Sequence, residues 1–218
     1  MDISVIWFDL DNPLYPASSG LLDAIDVRIN EFIATTFAMP IEQTPALRKT
    51  LYEEYGATLL GLHKKYNTSY EDYVTYVYAL DPADYIKPDP SVRDTLMSLP
   101  QRKIIFSNSN ADHVARVCGH LNIADCFSYK FCLDRDFAVK PDPRAYKKVA
   151  NAVGCTFGES LLVDDVDRNL AGGKRMGMRT LKVDEMLEGN GYDCIGHIKE
   201  LPRYLAEMNN PGASSEVS

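Results

Sequence analysis

The chain has 218 residues, of which 45% are hydrophobic and 25% charged, a composition typical of soluble globular proteins. Its net charge of −8 disfavours a nucleic-acid polymer as partner, because such a partner requires clustered lysine and arginine. We expect no membrane contact, since no apolar run approaches the roughly 18 residues of a membrane span. Five cysteines without a Cys-x-x-Cys pair favour reduced thiols, and an acidic N-terminus argues against a secretory signal; both predict a cytoplasmic protein.

The first predicted element is a buried strand over residues 3–8, where a run of aliphatic and aromatic residues ends abruptly at Asp9. Similar short runs predict strands over residues 103–106, 161–163 and 180–183. Helical patterns lie between these strands, over residues 90–99, 112–121, 143–153 and 169–176. Alternating strands and helices predict an α/β fold with a doubly wound parallel sheet, of the Rossmann type.

Residues 18–87 have a different texture, because they contain no strand-like run and their apolar residues recur at helical spacing. We therefore predict an α/β core of residues 1–16 and 88–208, interrupted after the first strand by a helical cap of residues 17–87. The polar residues 209–218 are predicted to be a disordered tail.

Polar clusters lie where predicted strands end or a helix begins, which is the edge where open α/β sheets bind ligands. Taken singly, each cluster is also explained by turn residues, a helix N-cap or a solvated lysine. The clusters are Asp9-Leu10-Asp11-Asn12-Pro13, Ser107-Asn108-Ser109-Asn110, Lys140-Pro141-Asp142-Pro143, and Asp164-Asp165 with Asn169 one helical turn later.

Together, the order, spacing and placement of these clusters resemble the haloacid dehalogenase superfamily, most members of which are phosphohydrolases, over residues 3–183. The resemblance implies that Asp9 attacks phosphorus to form an aspartyl-phosphate. It implies that Asp11 protonates the leaving alcohol and then deprotonates the hydrolytic water. A Mg²⁺ cofactor is expected between Asp9, the backbone carbonyl of Asp11, and Asp165, since this ion prefers oxygen ligands.

The remaining matched residues are assigned by the same resemblance. Ser107, the amide of Asn108 and Lys140 are expected to hold the phosphoryl oxygens. Asp164 and Asn169 are expected to orient the metal ligands and water from just outside the site.

One position departs from the family pattern, because Pro13 stands where a threonine is usual. Proline removes an N–H and fixes φ, and the hydroxyl that supports the loop is absent. A weakly active or non-catalytic protein that binds phosphate therefore stays open as an alternative. A dehalogenase is a further alternative, disfavoured because the superfamily's dehalogenases lack the second aspartate, here Asp11.

The substrate is suggested by a narrower resemblance, to the pyrimidine 5′-nucleotidase branch, in the residues that flank the first two motifs. These are Leu14-Tyr15-Pro16, and His113 with Arg116. The resemblance implies a small phosphorylated metabolite, a nucleoside 5′-monophosphate, as substrate. Tyr15, Asn110 and His113 are candidate substrate contacts, although Tyr15 could instead fill the core and His113 could be an ordinary helix residue. The oligomeric state is left open.

Overall fold

A computed structural model describes residues 2–209, and within them six parallel strands form one sheet in the order β3-β2-β1-β4-β5-β6. The central position of β1 places its C-terminal end in the middle of the ligand-binding edge. The strands are β1 (Val5–Phe8), β2 (Arg102–Asn110), β3 (Tyr129–Leu133), β4 (Ser160–Asp164), β5 (Arg179–Val183) and β6 (Asp193–Ile195).

Nine α-helices connect or flank these strands in the same part of the chain. None of them combines the length and apolarity needed to cross a membrane. The helices are α1 (Leu21–Phe37), α2 (Thr44–Tyr55), α3 (Thr58–Tyr66), α4 (Tyr70–Val77), α5 (Pro90–Ser98), α6 (Ala111–His120), α7 (Pro143–Val153), α8 (Asp167–Met176) and α9 (Leu201–Asn209).

The sheet is covered on both faces, as its nearly continuous apolar strands require. Successive residues of β1 point to opposite faces, so Ile6 and Phe8 belong to one core cluster, whereas Trp7 belongs to the other. Helices α7 and α8 contribute Tyr146 and Leu170 to the second cluster. The predicted doubly wound α/β fold is therefore confirmed.

Five helices, α1–α5, lie between β1 and β2, and we call the first four, α1–α4, the helical insert (residues 21–77). Helix α1 buries one side, and Phe32 on that side packs edge-on against Tyr73 of α4, with ring centroids 5.2 Å apart. Buried residues of the insert are continuous with the core cluster that contains Ile6 and Phe8. The division into core and cap, with its exact boundaries, stays a prediction.

Three elements are absent from the sequence-based prediction: β3, β6 and α9. The sequence of β3 carries Lys130 among its apolar residues, and β6 has only three residues, so neither gives a long apolar run. Strand β2 continues to Asn110 through an irregularity in its pairing after Phe106, where its apolar run ends. Asn209, placed in the predicted tail, is the last residue of α9, and residues 210–218 lie outside the described part of the chain.

Candidate active site

The C-terminal ends of β1 and β4 are held side by side by the backbone. The N–H of Asp9 donates to the carbonyl of Val163 at 2.9 Å, which extends the parallel pairing one residue beyond β1. Asp9 thus lies next to Asp164, the last residue of β4, and to Asp165. Three acidic side chains meet at this edge because their strands are neighbours in the sheet.

The carboxylates of Asp9, Asp164 and Asp165 form an acidic cluster, with one oxygen from each lying within 4.8 Å of the others. Lys140 enters this cluster from the loop before α7. Its Nζ is 3.0 Å from Asp9 Oδ1 and 2.6 Å from Asp164 Oδ2, and the lysine is only 1% exposed. Three carboxylates and one ammonium leave a formal charge of −2, an expensive charge to bury without a counterion.

The acidic cluster therefore fits a divalent cation. Burial and the neighbouring Asp164 raise the pKa of Asp165 to about 6, as expected for a carboxylate crowded by like charge. Two buried amide oxygens, Oδ1 of Asn12 and Oδ1 of Asn169, have no hydrogen-bond partner within residues 2–209, while each residue's Nδ2 donates to a cluster aspartate. Oxygen donors of this kind suit Mg²⁺, which Asp9 and Asp165 could hold, while Asp164 is bonded to Lys140 and Asn169.

The surroundings of Asp11 differ from those of the acidic cluster, because hydrogen-bond donors from three segments surround its carboxylate. Oδ1 accepts hydrogen bonds from the Tyr15 hydroxyl at 2.7 Å and from His113 Nε2 at 2.9 Å, and Oδ2 accepts one from Ser109 Oγ at 2.6 Å. Burial alone would raise the pKa of Asp11, but His113, Ser109 and Tyr15 together lower it to about 2. The group is thus held as an ionised acceptor.

The loop that carries Lys140 is fixed to the end of β2 by the side chain of Asn108. Asn108 Nδ2 donates to the Lys140 carbonyl at 3.0 Å, and the Lys140 N–H donates to Asn108 Oδ1 at 2.8 Å. Ser107, 1% exposed, accepts the Ser109 N–H on its hydroxyl at 2.9 Å. Of the three residues expected to bind phosphate, Asn108 and Lys140 are therefore bonded to each other, and Ser107 precedes Asn108 in β2.

The loop after β1 is tied down without the threonine hydroxyl that Pro13 replaces. Asn12 adopts a left-handed conformation with φ 75°, which asparagine tolerates better than most residues. Its Nδ2 donates to Asp165 Oδ2 at 2.7 Å, while the Tyr15 hydroxyl anchors the other end of the loop on Asp11. These two bonds supply loop support that the sequence analysis expected to be missing.

The three candidate substrate contacts are buried and each makes a hydrogen bond inside the protein, and their contact with substrate stays a prediction. Tyr15 and His113 bind Asp11, as described above. Asn110 caps α6, because its Oδ1 accepts the backbone N–H of His113 at 3.2 Å. The other predicted site residues meet at one edge of the sheet: Asp9, Asp11, Ser107, Asn108, Lys140, Asp164, Asp165 and Asn169.

A cavity of about 170 Å³ lies between the helical insert and the end of β2. Arg48 and Tyr73 line it from the insert, and Asn108 and Ser109 line it from the site. The sequence analysis gave no role to Ser109 or Arg48. Alternation along β2 could have indicated Ser109, since residues two apart in a strand share a face with Ser107.

The comparisons with known proteins agree with this fold. The haloacid dehalogenase-like hydrolase family model matches residues 3–177. Phosphate metabolism protein 8 of Saccharomyces cerevisiae is 28% identical over 192 residues, which are 80% of this chain and 59% of the yeast protein. The chain thus spans less than two thirds of that relative's length. A phosphoglycolate phosphatase of Aquifex aeolicus is 25% identical, and the match covers 81% of this chain and 82% of the Aquifex protein.

Among solved structures, L-2-haloacid dehalogenase from Xanthobacter autotrophicus superposes with a TM-score of 0.63. It covers 94% of this chain and 99% of its own, at 16% sequence identity, so the likeness concerns the fold alone. The family match covers most of the chain and confirms the superfamily that the sequence motifs indicated. This chain belongs to the haloacid dehalogenase-like hydrolase family.

Proposed function

We propose that this chain is a Mg²⁺-dependent phosphomonoesterase that hydrolyses a small phosphate ester, a nucleoside 5′-monophosphate, through an aspartyl-phosphate. The observation that carries the proposal is the contact of Lys140 with Asp9 inside a buried acidic cluster. A cation and a lysine beside one carboxylate are what that carboxylate needs to approach an anionic ester. The named activity of the Aquifex relative, a phosphatase, supports the same reaction class.

In the first step, Asp9 attacks phosphorus and the bond from phosphorus to the leaving oxygen breaks. Asp9 Oδ1 is ion-paired with Lys140 Nζ at 3.0 Å and accepts a hydrogen bond from the Leu10 N–H at 2.8 Å. Among the described residues no donor bonds Oδ2, so we assign the attack to this oxygen. Ser107, the amide of Asn108 and Lys140 bind the phosphoryl oxygens.

Asp11 moves the protons in both steps. It donates a proton to the departing alkoxide, and then accepts one from the water that attacks the aspartyl-phosphate. The low pKa of Asp11 suits its role as base in the second step. A phosphate dianion bound beside Asp11 raises its pKa, since a like charge disfavours the ionised form, and this suits the first step.

Mg²⁺ would be held by Asp9, Asp165 and the backbone carbonyl of Asp11, and would supply charge neutralisation between the ester and the carboxylates. Asp164 binds Lys140 and Asn169, at 2.6 and 3.0 Å between the bonded atoms. We propose that Asp164 and Asn169 orient Lys140 and the neighbouring metal ligands.

The cavity beside Ser109 supports a nucleoside as the leaving group. Arg48 and Asp26 are ion-paired at its wall, and they offer a hydrogen-bond donor and an acceptor side by side. Tyr73 and Tyr78 add aromatic surface against which a planar base can pack. A nucleobase presents both a flat face and an edge with donors and acceptors, which is the combination that this wall complements.

A substrate panel measured with and without Mg²⁺ tests the proposed function. We expect phosphate release from nucleoside 5′-monophosphates to exceed release from phosphoglycolate or pyrophosphate, and to stop when the metal is removed by chelation. Halide release from a 2-haloacid would instead support a dehalogenase. Phosphate binding without turnover, unrelieved by Pro13→Thr, would support the non-catalytic alternative.

The Arg48→Met variant tests the assignment of the leaving-group cavity. Methionine keeps an apolar stem but removes the guanidinium, so we expect KM for the preferred nucleotide to rise about 10-fold, the loss of one charged hydrogen bond. Turnover of p-nitrophenyl phosphate, whose leaving group lacks a nucleobase, should change less than about 2-fold. Lys49→Met, an exposed neighbour on α2, is the matched control. An unchanged nucleotide KM in Arg48→Met would contradict the assignment.

A further inference from the structure

His113 is a buried imidazole whose polar side-chain contact is to Asp11. It is 2% exposed and lies in the first turn of α6, with Nε2 2.9 Å from Asp11 Oδ1. As the base of the proposed second step, Asp11 is ionised and can only accept hydrogen bonds, so Nε2 then carries the proton of this bond. The imidazole is therefore a donor aimed at Asp11.

The position of His113 is fixed from two sides. Its backbone N–H donates to Asn110 Oδ1 at 3.2 Å, which anchors the start of α6. On the other side lies Tyr78, directly after the insert, with ring centroids 5.0 Å apart and a tilt of 43° between the rings. Arg116, one turn further along α6, donates to the Tyr78 carbonyl and holds that residue against the helix. The imidazole thus has little freedom to turn away from Asp11.

The other two donors to Asp11 are hydroxyl groups, on Tyr15 and Ser109. A hydroxyl proton rotates to suit its surroundings, whereas the N–H of an imidazole points in a direction fixed by the ring. Of the three donors, His113 is therefore the one that defines the plane of the Asp11 carboxylate. Proton transfer depends on that alignment, since a misplaced acid loses much of its effect.

We infer that His113 is a positioning residue for Asp11, and that it controls protonation of the leaving group without touching the substrate. The inference rests on the proposed function, in which Asp11 is the general acid. A positioning residue can be distinguished from a substrate contact by experiment. If His113 acts through Asp11, the effect of replacing it must depend on the basicity of the leaving group. A histidine that only fills the core would affect all substrates alike.

Leaving-group dependence in His113→Ala tests the inference. The alkyl phosphate turned over fastest by the wild type is compared with p-nitrophenyl phosphate, whose phenolate departs without a proton. We compare kcat/KM, because it covers the steps up to departure of the leaving group and no later step. For the alkyl ester we expect a loss of about 100-fold, the lower end of the contribution of a general acid. For the aryl ester the loss should stay below about 3-fold.

Two further variants test whether the effect of His113 is exerted through Asp11. His113→Gln keeps an N–H donor near the position of Nε2, so it should recover most of the activity towards the alkyl ester. In an Asp11→Asn background, His113→Ala should cause no further change in the ratio of the two kcat/KM values, since residues that act as a unit are not additive. His120→Ala is the matched control, because that histidine of α6 binds the Ile86 carbonyl instead, and it should leave the ratio unchanged.

Equal losses on both esters, or an undiminished effect of His113→Ala in the Asp11→Asn background, would overturn the inference while leaving the phosphatase intact. A wild-type chain that hydrolyses neither ester would overturn the proposed function and the inference together. If thermal unfolding shows that His113→Ala does not fold, His113→Phe replaces it, because phenylalanine fills the space of the imidazole ring without an N–H donor. Loss of the bond to Asp11 Oδ1 should produce the same selective loss on the alkyl ester.

Discussion

Asp9→Asn is expected to lower phosphatase turnover by at least about 10³-fold, because an amide cannot replace the carboxylate nucleophile. The substitution preserves the shape of the side chain, and an amide oxygen can still accept the Leu10 N–H, which donates to Asp9 Oδ1 at 2.8 Å in the unsubstituted chain. The chain should therefore fold as the wild type does. Initial rates and circular dichroism of the purified variant check both expectations.

The thermal stability of the Asp9→Asn variant should respond to Mg²⁺ differently from that of the wild type. Burial raises the pKa of Asp9, and Asp164 and Asp165 raise it further although Lys140 opposes them. A neutral amide removes that repulsion, so the metal-free variant should unfold at a temperature equal to or above that of the wild type. Removing a ligand should also shrink the increase in Tm that Mg²⁺ produces.

Asp94→Asn, at an exposed position of α5, is the matched control and should change neither turnover nor the response to Mg²⁺. Turnover retained by Asp9→Asn would exclude Asp9 as the nucleophile. A response to Mg²⁺ equal to that of the wild type would remove Asp9 from the metal ligands. The two outcomes are independent, so each role of this carboxylate is tested separately.

The acidic cluster could be predicted from the sequence because its members follow apolar runs of a parallel sheet. A run of apolar residues that stops at Asp9 indicates both the strand and the edge where it ends. The neighbouring strand order then brings Asp164 and Asp165 to the same edge. The apolar pattern and the sheet topology are enough to predict the acidic cluster, since the positions of its aspartates are fixed by the strands that precede them.

The environment of Asp11 could not be predicted in the same way. Its bonds to Ser109 and His113 join residues 98 and 102 positions apart, and they depend on how α6 packs against the loop after β1. A sequence places His113 near the start of a helix but does not show which way the imidazole points. The contact of His113 with Asp11 is therefore visible only in the structure, and its contact with substrate stays a prediction. The wall of the cavity could not be predicted for the same reason, because Arg48 lines it only as a result of how the helical insert packs.

Lys140→Met is expected to lower the free energy of unfolding of the metal-free chain by about 3–5 kcal/mol, the usual cost of removing one partner from a buried ion pair. Lys140 is 1% exposed and serves two carboxylates, which would remain buried without it. The loop itself should persist, because Asn108 binds the backbone of residue 140 and not its side chain. Urea unfolding of both proteins measures the difference.

The loss should depend on pH, in a direction that the carboxylates determine. Lys140 lowers the pKa of Asp9 and of Asp165, so its removal raises both values further. A carboxyl with a higher pKa in the folded chain than in the unfolded chain contributes stability at low pH, which is lost as the pH rises through the folded value. The pKa of Asp165 is about 6 before the substitution. The destabilisation should therefore be smaller near pH 5 than near pH 7.5.

Mg²⁺ should restore part of this stability at neutral pH, since the cation replaces the positive charge that the variant lacks. It should not restore turnover, because the group that holds the phosphoryl oxygens is absent. Lys148→Met on α7 is the matched control, since that lysine is 42% exposed and pairs with surface aspartates. Equal destabilisation at both pH values would mean that Lys140 does not stabilise the ionised cluster, and the charge balance proposed for the metal site would then be wrong.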